Sequence, residues 1–244
     1  MRLLVSVRSA AEVAQAVAGG ADIVDAKEPS RGSLGAVSGP VLQAIARCLP
    51  GTLPLSVALG DPGDSSALAV AMAVLEGLDR RPAPAYIKIG LSAAGIGAEA
   101  VLRAAVATAA RSPLRPSVIA VAYADHVAAG VPAPENVTRL AQASGAHGVL
   151  LDTWGKDGRD LFHHVAEARL RAWVEAAQAA GLLVALAGSL TVDGVRAVAK
   201  LSADIVGVRG AACIGGRDGM VVEARVAELK AALAGSVAPL EVTV

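Results

Sequence analysis

The chain carries no excess of charge of either sign, which limits the partners that its surface can attract. Its 22 basic and 22 acidic residues balance at pH 7, and no run of basic residues is longer than two. Proteins that bind nucleic acid or an anionic membrane usually concentrate basic residues in a patch or a tail. We therefore expect neither nucleic acid nor a membrane as a partner.

Cysteine is scarce as well. Cys48 and Cys213 are the two cysteines, and they lie far apart. Neither they nor the four histidines form a group with the spacing of a metal site. So few cysteines are typical of a protein from a reducing compartment. The sequence predicts a cytoplasmic protein without a metal site.

Long hydrophobic runs are also missing, although 54% of the residues are hydrophobic. Arg8 and Glu12 interrupt the apolar run near the N-terminus before it reaches the length of a signal peptide. The longest uncharged segment, 176–192, contains Gln178 and Gly181, which favours a helix end followed by a buried strand over a membrane span. We expect a soluble protein.

Short apolar runs recur along the chain and alternate with alanine-rich segments of helical length. The runs are almost continuously apolar, as in parallel strands that are covered on both faces. Eight such units predict an α/β fold, a single (β/α)8 barrel over residues 1–244, with an open doubly wound sheet as the alternative. The predicted strands are residues 3–7, 22–26, 53–59, 85–90, 117–123, 148–152, 182–188 and 204–208, and the predicted helices include 10–18, 98–109, 161–180 and 192–201.

The turns that lead into several of these strands are alike. Gly20, Gly145 and Gly181 each stand where a helix is expected to end, and a glycine there allows the left-handed conformation that reverses the chain. The tetrapeptide ADIV occurs twice, at 21–24 and 203–206. These similarities indicate a weak internal repeat of the strand entrance.

Polar residues cluster where the predicted strands end, the position of the active site in barrels of this type. Asp25 and Lys27 end the second strand, Lys88 lies in the fourth, and Asp152 ends the sixth. Side chains from alternate strands share layers inside such a barrel, so these four are expected to meet. Each also has a simpler explanation: Lys27 could pair with Glu28 at the surface, Lys88 could point outward, and the aspartates could brace turns.

Lysine is rare relative to arginine, with five lysines among the 22 basic residues. Lys27, Lys88 and Lys156 all fall at or just beyond strand ends. A retained lysine suggests a need for an amine, which can lose its proton and attack a carbonyl. Two inward amines in one barrel mouth would repel each other and lose solvation, and both effects favour the neutral form.

Two sets of turns have the composition of phosphate-binding loops. Gly188 and Ser189 follow the seventh strand, and Arg209 and Gly210 follow the eighth; small residues there let backbone N–H groups approach a phosphate. The loop after the second strand offers Arg31 and Ser33, which predicts a second phosphate site. All these turns could equally be tight connections.

The chain resembles a known family through motifs that recur in order at most strand ends. They are LLVSV, GGADIVDAKEPSRGSLGA, YIKIGL, AYAD, LLDTWGKDG, LAGS and ADIVGVRGAAC, and they cover residues 1 to about 230. The family is (5-formylfuran-3-yl)methyl phosphate synthase, also called 4-(hydroxymethyl)-2-furancarboxaldehyde-phosphate synthase, of methanofuran and methylofuran biosynthesis. This chain departs from the family pattern in a shorter segment after the third strand, residues 60–64, and in His126 of the fifth loop.

The resemblance implies a TIM barrel that joins two molecules of glyceraldehyde 3-phosphate into a phosphorylated furaldehyde, with loss of phosphate and water. It implies Lys27 as the Schiff-base lysine and Lys88 as the proton acceptor, and it matches Asp25, Asp152 and Lys156 to other active-site positions. It implies no metal and no organic cofactor.

Two other functions fit the same residues. A class I aldolase acting on another sugar phosphate would use the same lysine, and a non-catalytic barrel would only bind a phosphosugar. The alanine-rich helices leave room for contacts between subunits, so we expect a homo-oligomer.

Overall fold

The computed structural model describes residues 1–78, 83–91 and 96–235. Eight parallel strands follow one another around a closed barrel, and the eighth pairs with the first. The strands are β1 (Arg2–Val7), β2 (Ile23–Ala26), β3 (Leu55–Ala58), β4 (Pro84–Gly90), β5 (Ser117–Tyr123), β6 (Gly148–Asp152), β7 (Leu183–Leu186) and β8 (Ile205–Val208). The predicted (β/α)8 barrel is confirmed, and closure of the sheet excludes the open doubly wound alternative.

Helices connect the strands around the outside of the barrel. They are α1 (Ala10–Ala18), α2 (Gly39–Cys48), α3 (Ser65–Ala73), α4 (Ile96–Arg111), α5 (His126–Ala129), α6 (Pro134–Ser144), α7 (Leu161–His164), α8 (Glu167–Ala179), α9 (Val192–Ala199) and α10 (Glu223–Ala234). Within the described residues, none of these helices is long and apolar enough to cross a membrane.

Two features of the chain differ from the sequence prediction. The helix predicted over 161–180 is two helices, α7 and α8, because Val165 and Ala166 adopt extended backbone conformations between them. Beyond β8, a hairpin of two short antiparallel strands, β9 (Cys213–Ile214) and β10 (Met220–Val221), was not predicted.

Side chains along each strand point alternately into and out of the barrel. The polar side chains at the strand ends described below point into it. Apolar residues such as Ile23, Ile119 and Leu150 pack together in one cluster within the barrel, and a separate and larger cluster packs with the helices. Because the period along a strand is two residues, Asp25 lies on the same side as Ile23, and Asp152 on the same side as Leu150. The polar residues therefore form a layer above the apolar floor.

The repeated ADIV segment has a structural reason. Asp22 Oδ2 accepts a hydrogen bond of 2.7 Å from the amide of Leu3 in β1, and Asp204 Oδ2 accepts one of 2.8 Å from the amide of Val184 in β7. In both copies the aspartate stands just before a strand and binds the preceding neighbour in the sheet. Gly20, ahead of the first copy, has a φ of +89°, which confirms the expected left-handed turn.

A buried ion pair attaches helix α1 to the loop after β8. Glu12 is 0% exposed, and its two oxygens accept from Arg209 Nη1 at 2.5 Å and Nη2 at 3.0 Å. Arg209 also donates to the carbonyl oxygens of Ser6, Arg217 and Gly219 at 3.0, 3.1 and 2.7 Å. Because a guanidinium has five N–H groups, this arrangement uses all of them inside the protein.

Substitution Glu12→Gln should destabilise the protein strongly. Removing one partner of a buried pair leaves the other charge without compensation and typically costs about 3–5 kcal/mol. The free energy of unfolding in urea measures the effect. Glu167→Gln is the matched control, since Glu167 forms an exposed pair with Arg171 that contributes about 0–1 kcal/mol. Equal effects of the two substitutions would contradict the role of the buried pair.

Candidate active site

A cavity of about 490 Å³ opens at the carboxyl ends of the strands and reaches down to the apolar floor. Its wall combines apolar residues of the barrel interior with polar residues of the strand ends. Eight of the residues predicted for the site line it: Lys27, Lys88, Asp152, Lys156, Gly188, Ser189, Arg209 and Gly210. The structure thus gathers into one place side chains that are up to 183 positions apart in the sequence.

Lys88 lines this cavity and forms a buried ion pair with Asp25, which lies behind it. Lys88 Nζ donates to Asp25 Oδ2 at 2.7 Å, and Ser6 Oγ donates to the same oxygen at 2.8 Å. The exposed fractions are 5% for Lys88 and 0% for Asp25. The inward orientation of Lys88 is thereby established, and the alternative of an outward lysine is excluded.

Lys27 is buried in a different way. Its amide donates to the carbonyl of Val7 at 3.0 Å, which continues the strand pattern beyond β2 and turns the side chain inward. The side chain is 7% exposed, and its Nζ makes no hydrogen bond or ion pair with any residue in the described part of the chain. A surface pair with Glu28 is therefore not formed.

Burial lowers the pKa of Lys27 to about 7, because the charged form loses its hydration. The negative charge of Asp152 opposes this shift, while the positive charge of Lys88 adds to it. The neutral form of the Lys27 amine is therefore accessible near neutral pH, as the sequence led us to expect for one of the inward lysines.

Lys156 and Asp152 form a second ion pair at the mouth. Lys156 Nζ donates to Asp152 Oδ1 at 2.8 Å and to Thr153 Oγ1 at 2.9 Å, and the amide of Thr153 donates to Asp152 Oδ1 at 2.7 Å. Burial raises the pKa of Asp152, but the positive charges of Lys156 and Lys27 outweigh it, so that the net pKa is lowered. Asp152 thus stays ionised between the two lysines.

Asp125 shapes the loop that carries Lys156. Its two oxygens accept from the amides of Trp154 at 2.6 Å and Gly155 at 2.7 Å. This fixes the backbone just ahead of Lys156. His126, the residue at which the chain departs from the family pattern, begins α5 and is absent from the described lining of the cavity.

The turn after β7 has the special geometry that its composition suggested. Gly188 and Ser189 have backbone φ values of +112° and +50°, and residues other than glycine rarely adopt a positive φ. A Cβ on Gly188 would lie 3.0 Å from Thr153 Cγ2, so the turn also packs closely on loop six. Thr191 caps the following helix α9 by accepting from the amide of Gly194 at 3.1 Å.

The predicted phosphate ligands on the other loops are placed differently. Arg209 lines the cavity, but its five N–H groups are already used, so its guanidinium has no donor left for a phosphate in this arrangement. Arg31 is exposed and donates to the carbonyl of Ala36 at 3.4 Å. Ser33 is 3% exposed and hydrogen-bonds Tyr123. Neither Arg31 nor Ser33 is part of the described cavity wall.

Sequence reasoning missed Arg217. It lines the cavity from the turn between β9 and β10, and Nη2 donates to the carbonyls of Pro29 at 2.8 Å and Gly32 at 2.5 Å. No local motif marks it, because it lies eight residues beyond Arg209 in a hairpin that the apolar pattern did not reveal.

Tyr123, at the end of β5, and Asp61, after β3, form a further contact. The Tyr123 hydroxyl donates to Asp61 Oδ1 above Gly90, where a Cβ would lie 2.7 Å from that hydroxyl. Burial raises the pKa of Asp61 to about 6, and burial together with Asp61 raises that of Tyr123. A residue with a Cβ at position 90 would clash with this contact, so glycine is required there.

Across the described ranges, no group of three or more histidine, cysteine or carboxylate side chains could hold a metal ion. The chemistry that the site supports is that of amines and carboxylates. A neutral buried amine can attack a carbonyl, and two neighbouring lysine–aspartate pairs can move protons.

Solved structures similar to this one share its barrel. 3-Hexulose-6-phosphate synthase from Salmonella typhimurium aligns with a TM-score of 0.67 over 97% of this chain and 100% of that one, at 15% identity. Phosphoribosyl anthranilate isomerase from Thermus thermophilus aligns with a TM-score of 0.65 over 96% and 99%, also at 15% identity. At this identity the likeness shows the fold alone.

Similarity in sequence is more specific. The family model described as 4-HFC-P synthase matches residues 3–240, which extends ten residues beyond the resemblance seen in the motifs. Two relatives, both named (5-formylfuran-3-yl)methyl phosphate synthase, come from Methanothermobacter thermautotrophicus and Methanocaldococcus jannaschii. They are 38% and 37% identical to this chain, and each alignment covers 94% of this chain and 98% of the relative. The chain therefore belongs to the (5-formylfuran-3-yl)methyl phosphate synthase, or 4-HFC-P synthase, family of enzymes.

Proposed function

We propose that the enzyme condenses two molecules of glyceraldehyde 3-phosphate into (5-formylfuran-3-yl)methyl phosphate, with loss of phosphate and water, through a Schiff base on Lys27. The observation that carries this proposal is a lysine, 7% exposed, whose pKa is lowered to about 7 inside the cavity. Such an amine is partly neutral at neutral pH and can attack an aldehyde. The names of the relatives support the product.

The first step is attack of the Lys27 amine on the triose aldehyde. The Nζ–C bond forms, the carbonyl oxygen takes one proton from Nζ and one from Lys156 and leaves as water, and the resulting iminium makes the adjacent C–H acidic. A base must then take that proton, and Lys88, which lines the cavity and is bonded to Asp25 behind it, is placed to accept or relay it. The resulting enamine can expel phosphate or attack the second aldehyde.

The second ion pair suits the later proton transfers. Lys156 is anchored to Asp152 and can donate a proton to an oxygen that leaves as water. Since Asp152 also lowers the energy of the positive charge on Lys27, it stabilises the iminium. One carboxylate therefore serves both the nucleophile and the proton donor.

The charge of the cavity supports a phosphorylated substrate. Within the described wall, six side chains are basic and one, Asp152, is acidic; the basic ones are Lys27, Lys88, Lys156, Arg209, Arg217 and Arg225. Asp25, Glu12 and Glu228 neutralise three of the basic groups from behind. A net positive cavity attracts anions, and oriented phosphates would align two trioses for condensation.

Substitution Lys27→Met should abolish trapping of the substrate. Borohydride reduction of wild-type enzyme with glyceraldehyde 3-phosphate should give one covalent adduct, located at Lys27 by mass spectrometry. The adduct should disappear in Lys27→Met and persist in Lys200→Met, which removes an exposed lysine. A full-strength adduct on another lysine of Lys27→Met would refute the assignment.

The rate of adduct formation should depend on pH. Below about pH 7 the Lys27 amine is protonated, so the rate should rise about tenfold per pH unit, and it should level off above about pH 7. Samples are quenched at intervals between about pH 5.5 and about pH 8.5, and mass spectrometry measures the rate of adduct formation at each pH. A flat profile would contradict a lysine with this pKa.

Substitution Lys88→Met should separate attack from proton transfer. Loss of a general base typically costs a factor of about 10² to 10⁴, so phosphate release and the ultraviolet absorbance of the furan should fall by that amount. The Lys27 adduct should still form. A Lys27 adduct in the wild type with neither phosphate release nor a furan chromophore would instead favour an aldolase that acts on another sugar phosphate.

A further inference from the structure

Arg217 stands where the loop after β8 meets the loop after β2. It belongs to the turn between β9 and β10, and its Nη2 donates to the carbonyls of Pro29 and Gly32. Pro29 follows Lys27 by two residues, so the guanidinium is attached to the loop that begins at the reactive amine. Arg217 also lines the cavity.

The rest of this guanidinium has unused donors. Nε and Nη1 of Arg217 make no hydrogen bond with any residue in the three described ranges, which leaves three N–H groups for another partner. Arg209 has none to spare, and Arg225 at the rim pairs with Glu228 at 3.4 Å. Arg225 is exposed, so among the arginines of the described cavity wall Arg217 is the one that is partly buried and still has free donors.

The surroundings of Arg217 favour an anion. The side chain is partly buried, and burial lowers its pKa, while the charges of Asp152 and Asp218 oppose that shift. No ion pair joins it to either aspartate among the described residues. An arginine keeps its charge even so, and a partly desolvated guanidinium is stabilised by an oxyanion that accepts from two of its N–H groups.

We propose that Arg217 binds a phosphate oxygen of the substrate through Nε and Nη1 while Nη2 holds the Lys27 loop, so that one side chain links phosphate binding to the position of the amine. The proposal rests on the proposed function for the identity of the substrate, but the binding of phosphate itself is independent of it. It assigns to Arg217 the contact that the sequence suggested for Arg209.

Phosphate affinity tests this assignment. Inorganic phosphate is the probe, and its dissociation constant is measured by calorimetry for wild type, Arg217→Met and Arg217→Lys. A hydrogen-bonded charge pair of this kind is worth about 10- to 100-fold in affinity, which is the expected loss in Arg217→Met. Arg217→Lys keeps the charge but lacks the planar fork, so it should lose less.

Two comparisons separate the role of Arg217 from general effects. Arg225→Met removes another positive charge of the cavity and should weaken phosphate by no more than about threefold, the effect of an exposed charge. Unphosphorylated glyceraldehyde should still be trapped at Lys27 in Arg217→Lys, whereas KM for glyceraldehyde 3-phosphate should rise.

Some results would overturn the proposal. The first is a phosphate affinity within about twofold of wild type in both Arg217 variants, because one hydrogen bond to a charged group contributes more than that. The second is a loss of affinity in Arg225→Met as large as that in Arg217→Met. If Arg217→Met fails to fold, Arg217→Lys decides alone. Absence of furan from the wild type would refute the proposed function and leave the phosphate result standing.

Discussion

The desolvation of Lys27 is the constraint on which the mouth of the barrel depends. Burial lowers the pKa of Lys27, and the charge of Asp152 opposes that shift. Lys27 has no ion-pair partner among the described residues because the nearby carboxylates are bonded elsewhere: Asp25 to Lys88, and Asp152 to Lys156. The same carboxylates remain near enough to stabilise a positive charge on its amine.

The three lysines of the mouth differ in their partners. Lys88 and Lys156 each have an aspartate at hydrogen-bonding distance, whereas Lys27 has only long-range interactions with both aspartates. The nucleophile and the two proton-transfer groups that we propose are thus identical side chains in different surroundings.

Much of this arrangement could be predicted from sequence. Strand periodicity can be read from neighbouring residues, and the geometry of the barrel is common to all barrels of this type. The apolar runs located the eight strands, and the period of two placed Asp25 and Lys27 on one side. What the sequence could not show depends on contacts over long sequence distances. Nothing near Arg209 shows that Glu12, 197 residues away, occupies its guanidinium, and nothing near Arg217 shows that its partners are Pro29 and Gly32.

The pair formed by Glu12 and Arg209 also limits how the loops of this barrel can be exchanged. Active-site loops of such barrels are often treated as interchangeable parts on a constant framework. Here the loop after β8 carries an arginine whose counter-ion belongs to the first helix, at the other end of the chain. Moving that loop to another barrel without α1 would transfer an uncompensated charge. The loop after β8 and helix α1 would therefore have to be transferred together.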